Sequence, residues 1–115
     1  MKHPESDLQK ACINWFRYKH SRLSKLCFSV PNGGFRNAKE AARMKAEGVV
    51  AGASDIILLV GRCGYNTLCI ELKAAKGHQT ELQKEWQKVA ERNGNKYIIV
   101  RDLETFINEV NNYLK

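Results

Sequence analysis

Ala53-Ser54-Asp55-Ile56-Ile57-Leu58-Leu59-Val60, then Gly61-Arg62-Cys63-Gly64-Tyr65-Asn66, then Thr67-Leu68-Cys69-Ile70-Glu71-Leu72-Lys73 make two apolar runs around a glycine-rich turn. Short apolar runs bounded by turn residues read as buried strands. Joined by such a turn, they form a hairpin. If the hairpin is centred near Cys63 and Gly64, Asp55 falls beside Glu71, since the two are equally far from that centre. Directly opposed side chains lie roughly 4.5–5.5 Å apart at Cβ, where like charges destabilise the pairing. A divalent cation is the natural compensator, because Mg²⁺ is held by one or two carboxylates and completes its shell with water and phosphate oxygens. Lys73, two residues past Glu71, falls on the same face.

The first run, Ile56 to Val60, is apolar on both faces, which predicts a central strand covered by helices on both sides. Upstream, Leu8, Cys12, Trp15, Phe16 and Leu23 recur near the helical period and predict a helix from Pro4 to Ser24. Glu5 precedes Leu8 by three and Cys12 by seven, which places it on the apolar face. Lys25 to Val30 is a strand candidate, closed by the turn Pro31-Asn32-Gly33-Gly34. Asn37 caps a helix that runs to Glu47 and stops at Gly48; it carries Lys39, Arg43 and Lys45. Downstream, Thr80 to Arg92 reads as a helix with Leu82, Trp86, Val89 and Ala90 inward. Tyr97 to Val100 is the last strand, and Asp102 caps a final helix through Leu103, Phe106, Ile107, Val110 and Leu114. The order α-β-α-β-β-α-β-α is an α/β fold, a central mixed sheet flanked by helices.

Length and charge narrow the function. At 115 residues the expectation is one domain spanning 1–115, with no separate recognition module. Nineteen Lys and Arg against 12 acidic residues leave a net charge of +7, which suits a polyanion such as nucleic acid. No apolar run approaches the roughly 18 residues that span a bilayer, and the first residues lack the apolar core of a signal peptide. A cytoplasmic protein that is neither secreted nor membrane-bound is expected. Cys12, Cys27, Cys63 and Cys69 show no CxxC pair and no histidine at zinc-ligand spacing. His20 and His78 are not spaced as ligands either. Neither a disulfide nor zinc is expected.

Five segments together resemble the VRR-NUC family, a branch of the PD-(D/E)XK nucleases that includes small phage-borne proteins and the nuclease domain of a Fanconi-associated repair enzyme. They are Glu5-Ser6-Asp7-Leu8-Gln9, Pro31-Asn32-Gly33-Gly34-Phe35-Arg36, Gly48-Val49-Val50-Ala51-Gly52-Ala53-Ser54-Asp55, Glu71-Leu72-Lys73 and Gln79-Thr80-Glu81-Leu82-Gln83-Lys84. Ser54 stands where the superfamily pattern has proline. The resemblance implies a restriction-endonuclease-like core and a metal-dependent DNA nuclease. Asp55 and Glu71 then match the metal-binding acids, Lys73 the catalytic lysine and Glu5 the acid of the first helix. The main-chain carbonyl of Leu72 matches a further metal ligand, and Gln83 a glutamine beside the metal. The implied cofactor is Mg²⁺, with Mn²⁺ as a substitute. A stand-alone phage-type member would work in the host cytoplasm.

Each assignment has a structural alternative. Glu71 and Lys73 can be a surface ion pair worth about 0–1 kcal/mol. Glu5 is also favoured near a helix N-terminus by the macrodipole, and Thr80-Glu81-Leu82-Gln83 is a capping box. Asn32, Gly33 and Gly34, followed by Arg36, can be a plain turn, or a loop whose amides and guanidinium approach a DNA phosphate. Lys39 and Arg43 extend the latter into a backbone-binding face. The leading expectation is a structure-selective nicking endonuclease acting on branched DNA, resolvase-like if two copies form a homodimer. A DNA-binding module of the same fold that does not cleave is the alternative, as is a nuclease subunit whose partner chooses the substrate.

Overall fold

The computed structural model describes residues 3–31 and 37–115. Strands β1 (Cys27–Ser29), β2 (Ile56–Leu58), β3 (Leu68–Leu72) and β4 (Lys96–Val100) form one sheet in the order β1-β2-β3-β4. Around it lie helices α1 (Pro4–Lys19), α2 (Ala38–Ala46), α3 (Glu81–Arg92) and α4 (Leu103–Leu114), with a 3₁₀ segment Ser21–Leu26 between α1 and β1. The first two strand pairings are antiparallel; β3 and β4 run parallel, joined by a crossover through α3. The predicted element order is therefore observed.

The hairpin register is the expected one. Ile56 pairs with Ile70, Ile57 with Cys69 and Leu58 with Leu68, so every pair is centred on Cys63 and the next step outward sets Asp55 against Glu71. At the tip, Cys63 and Gly64 both have positive φ, 56° and 82°, as a type I′ turn requires. Tyr65 N–H donates to Arg62 O at 2.9 Å across it. The first arm carries one extra residue, taken up where Val60 N–H folds back onto Leu58 O at 2.9 Å.

Alternation along the strands sends Cys27, Ile56, Leu58, Leu68, Ile70, Leu72 and Val100 to one face, where they pack with Cys12 and Phe16 of α1 and Phe106, Val110 and Tyr113 of α4. This is the main core. Helix α1 ends at Lys19, five residues short of the predicted Ser24. His20 leaves helical geometry (φ −118°, ψ 55°), its ring meets Trp15 and Phe16, and its Nε2 lies 3.1 Å from Asn111 Oδ1 of α4. Leu23 still packs against the core, from the 3₁₀ segment. Its helical spacing was genuine in burial but not in backbone.

The opposite face is only partly covered, contrary to the expectation for a strand apolar on both sides. α3 lies over β4, with Trp86 against Tyr97 at 6.1 Å between ring centroids. It leaves Ile57 half-buried and Phe28 exposed. Leu82 and Val89, expected inward, are 54% and 55% exposed; only Trp86 and Ala90 of that stripe are turned in. The stripe is real, but there is too little sheet beneath α3 to bury it.

Candidate active site

The carboxylates come together where β2 begins and β3 ends. Asp55, half-buried, accepts the Leu72 N–H on Oδ2 at 2.7 Å, a bond that pins its side chain across the hairpin. Glu71 is 1% exposed. Its Oε1 accepts the Tyr97 hydroxyl and its Oε2 accepts Gln83 Nε2, both at 3.2 Å. Burial, followed by the hydrogen bond and charge of Asp55, pushes the Glu71 carboxyl up to about 8, against the opposing pull of Lys73 and Tyr97. The Glu71 carboxyl is thereby held toward its protonated form, as a buried acid beside a second carboxyl is. Tyr97 is itself pushed up by burial and then by Glu71, so it stays a donor.

Lys73, 7% exposed, follows Glu71 out of β3, its N–H bonded to Val100 O at 3.0 Å. Among the described residues its ammonium has no ion-pair partner. The surface ion pair weighed as the structural alternative is thus replaced by a shielded lysine near a buried acid. Glu5 is exposed rather than buried, but it does face the site: its Oε2 accepts the Ala74 N–H at 3.1 Å. Arg101 closes the loop after Lys73, its Nη1 donating to the carbonyls of Ala74, Ala75 and Gly77 at 3.0, 3.4 and 2.8 Å.

Gln83 satisfies both of its readings at once. Its Oε1 accepts the Thr80 N–H at 2.9 Å and its own N–H donates to Thr80 Oγ1 at 3.2 Å, completing the capping box, while Nε2 is left free for Glu71. Gly52 makes this possible. Its φ is +91°, and a Cβ there would lie 2.5 Å from Leu82 O, so only glycine lets the first turn of α3 come this close. Gln79, a weaker candidate in the sequence, donates through Nε2 to Gln87 Oε1 and to the Tyr97 hydroxyl at 2.9 and 3.2 Å. Tyr97 and Arg101 thus support the site without having been singled out. For Tyr97, the missing signal is the parallel register between β3 and β4, which no local pattern encodes.

Of the residues expected at a DNA backbone, Asn32, Gly33, Gly34 and Arg36 lie outside the described residues. Lys39 and Arg43 sit on exposed turns of α2 behind the Asn37 cap, which accepts the Glu40 N–H at 2.7 Å. Arg43 is bound to Glu47 one turn on, at 3.1 Å.

The chain superposes on a solved structure described as a VRR_NUC domain protein with a TM-score of 0.84, over 99% of this chain and 90% of that one, at 24% identity. The fold is that of a VRR_NUC domain. No protein-family model and no curated protein matches the chain. The resemblance read from the short segments and the VRR_NUC-type architecture agree. The mixed sheet with flanking helices is the restriction-endonuclease-like core expected from it.

The donor set suits a hard divalent cation. Among the described residues no three His, Cys, Asp or Glu side chains cluster as a closed metal cage, whereas Asp55 and Glu71 offer the carboxylate pair that Mg²⁺ uses while keeping water and phosphate in its other positions. The charge of Asp55 is among the causes that push the Glu71 carboxyl up, and a cation between the two would relieve it. Among the described residues no helix is long and apolar enough to cross a membrane.

Proposed function

We propose that this chain is a Mg²⁺-dependent DNA endonuclease, working as one VRR_NUC-type domain, with Mn²⁺ able to replace Mg²⁺. The observation that carries it is the Asp55–Glu71 pair, half-buried Asp55 facing buried Glu71 and followed by a shielded Lys73, on a fold shared with a VRR_NUC domain protein. Asp55, Glu71 and the Leu72 carbonyl would hold the ion, with Glu5 close enough to the end of β3 to act through a water. Bound there, Mg²⁺ supplies Lewis-acid stabilisation of the phosphoryl oxygens and an acidified water.

The chain's own residues prepare the rest. Glu71 must give up its proton before it can act as a ligand, and the Lys73 charge favours that ionised form. Tyr97 and Gln83 hold one Glu71 oxygen each, fixing its rotamer so that no ordering is needed when substrate arrives. Lys73 would orient the attacking water or neutralise the transition state as its ammonium, or help deprotonate that water as its neutral amine. The net charge of +7 brings the polyanion in. Each copy cuts one strand; paired cuts in branched DNA call for a two-fold homodimer.

Supercoiled plasmid incubated with the protein and Mg²⁺ or Mn²⁺ tests the activity. Nicking is expected from the wild type, none with EDTA, and none from Glu71→Ala or Lys73→Ala. Undiminished nicking by either variant sinks the assignment.

A further inference from the structure

Gln83, Gln87 and Glu91 recur at every fourth position of α3, a spacing that stacks them on one face of the helix. The first bonds Glu71 directly. The other two form the outer end of a chain of hydrogen bonds that reaches the same carboxyl by a second route. Gln87 Nε2 donates to Glu91 Oε2 at 3.4 Å, which leaves Gln87 Oε1 to accept Gln79 Nε2 at 2.9 Å. Gln79 Nε2 carries a second hydrogen, and this one goes to the Tyr97 hydroxyl at 3.2 Å. The Tyr97 hydroxyl donates in turn to Glu71 Oε1 at 3.2 Å.

The directions follow from the hydrogens available. A carboxylate only accepts, so Glu91 turns the Gln87 amide with its nitrogen outward and its oxygen toward Gln79. An amide oxygen only accepts as well. Gln79 must therefore present its NH₂ group, whose two hydrogens serve Gln87 and Tyr97. A tyrosine hydroxyl has one hydrogen, and with a donor already on its oxygen Tyr97 directs that hydrogen at Glu71. Solvent offers it no alternative: Tyr97 is 7% exposed, and its ring is packed beside Trp86.

We infer that Gln79 is a positioning residue for the Glu71 carboxyl: by donating to Tyr97 it commits the Tyr97 hydrogen to Oε1 and holds the carboxyl in one orientation, its other lone pairs free for a cation. Bonds in such a chain polarise one another, so Tyr97 donates more strongly than a lone phenol does. Partners one step behind a metal ligand fix its orientation; Gln79 works one step further back. The inference takes its cation from the proposed function, but the chain of bonds is tested without metal.

NMR spectra of the full chain in EDTA, at a single pH, test the directions. Tyr97→Phe should shift one of the two Gln79 side-chain amide protons upfield, and Gln87→Ala the other. Gln79→Met keeps the length of the side chain and removes its donor. It should shift the Glu71 Cδ signal in the wild-type background and leave it unmoved in a Tyr97→Phe background. Mn²⁺ affinity, measured from the free ion by electron paramagnetic resonance, reads the consequence. It should fall about tenfold in Tyr97→Phe and about fivefold in Gln79→Met, as for one hydrogen bond. The double variant should bind no more weakly than Tyr97→Phe alone, whereas a role of Gln79 in packing alone would make the two losses add. Gln79 amide protons that ignore Tyr97→Phe overturn the inference, and so do a Glu71 signal that ignores Gln79→Met and Mn²⁺ losses that add. If Gln79→Met does not fold, the Tyr97→Phe and Gln87→Ala spectra still decide the directions. A wild-type chain that binds no Mn²⁺ removes only the metal site, because the metal-free spectra stand apart from it. Wild-type Mn²⁺ binding with unmoved Gln79 amide protons removes only the role of Gln79.

Discussion

Replacing Glu71 with glutamine should make the metal-free protein more stable in mild alkali, although it removes a residue at the centre of the site. The Glu71 carboxyl sits at about 8 in the fold, against an ordinary 4.5. A raised folded value means that the fold holds the proton more tightly than the unfolded chain does. The resulting stability is complete below about pH 4.5 and is lost as pH climbs through 8. At about 1.4 kcal/mol per unit, the loss between pH 5 and pH 9 is about 4 kcal/mol, a fall of ~15 °C in Tm for a chain of this size. Glutamine mimics the protonated acid: its amide can donate to Asp55, and its oxygen can accept from Gln83 or Tyr97. One acceptor is lost, at about 1 kcal/mol. Glu71→Gln should thus melt slightly below wild type at pH 5 and well above it at pH 9 in EDTA. Cys12 and Cys27, pushed up to about 12 by burial, remain neutral throughout and do not blur the comparison. Circular dichroism melts at pH 5, 7 and 9 provide the assay. A wild-type Tm that is flat across this range, or a Glu71→Gln slope parallel to it, would refute the reasoning. Added Mg²⁺ should raise the wild-type Tm more at pH 9, where no proton competes, than at pH 6, and should leave Glu71→Gln unmoved.

Three further outcomes follow from the supports of the site. Tyr97→Phe removes the hydroxyl on Glu71 Oε1 and should cost about 1 kcal/mol in denaturant melts together with a higher Mg²⁺ requirement for nicking; an unchanged metal titration would show that Tyr97 does not position Glu71. Gly52→Ala forces a Cβ onto the Leu82 carbonyl from a positive φ, with an expected loss of at least about 2 kcal/mol, and a wild-type melting curve would contradict the tight contact. Arg101→Ala frees the carbonyls of Ala74, Ala75 and Gly77, so amide hydrogen exchange should quicken in this loop while β3 stays protected. Uniform exchange changes, or none, would count against the clamp.

The hairpin was legible because its two signals are local: a turn centre and two apolar arms determine the register, and the register sets Asp55 against Glu71. Helix caps were legible for the same reason, since the side chains of Asn37, Thr80 and Asp102 accept from backbone N–H groups three positions on. The end of α1 was not legible. Leu23 continues the helical spacing, and only the seat of His20 between Trp15, Phe16 and Asn111 shows why the helix stops. Apolar spacing likewise foretold a stripe on α3 but not the half-covered sheet that leaves Leu82 and Val89 in water.

By itself, then, the sequence determined the order of elements, the hairpin register and the facing carboxylates, because each follows from residue spacing along one or two adjacent strands. The tertiary structure alone decided how those carboxylates behave. Tyr97 reaches Glu71 from a strand paired in parallel across a helical crossover, and Gln83 reaches it because Gly52 admits α3. Burial beneath both pushes the Glu71 carboxyl up, and burial is a property of the packed whole.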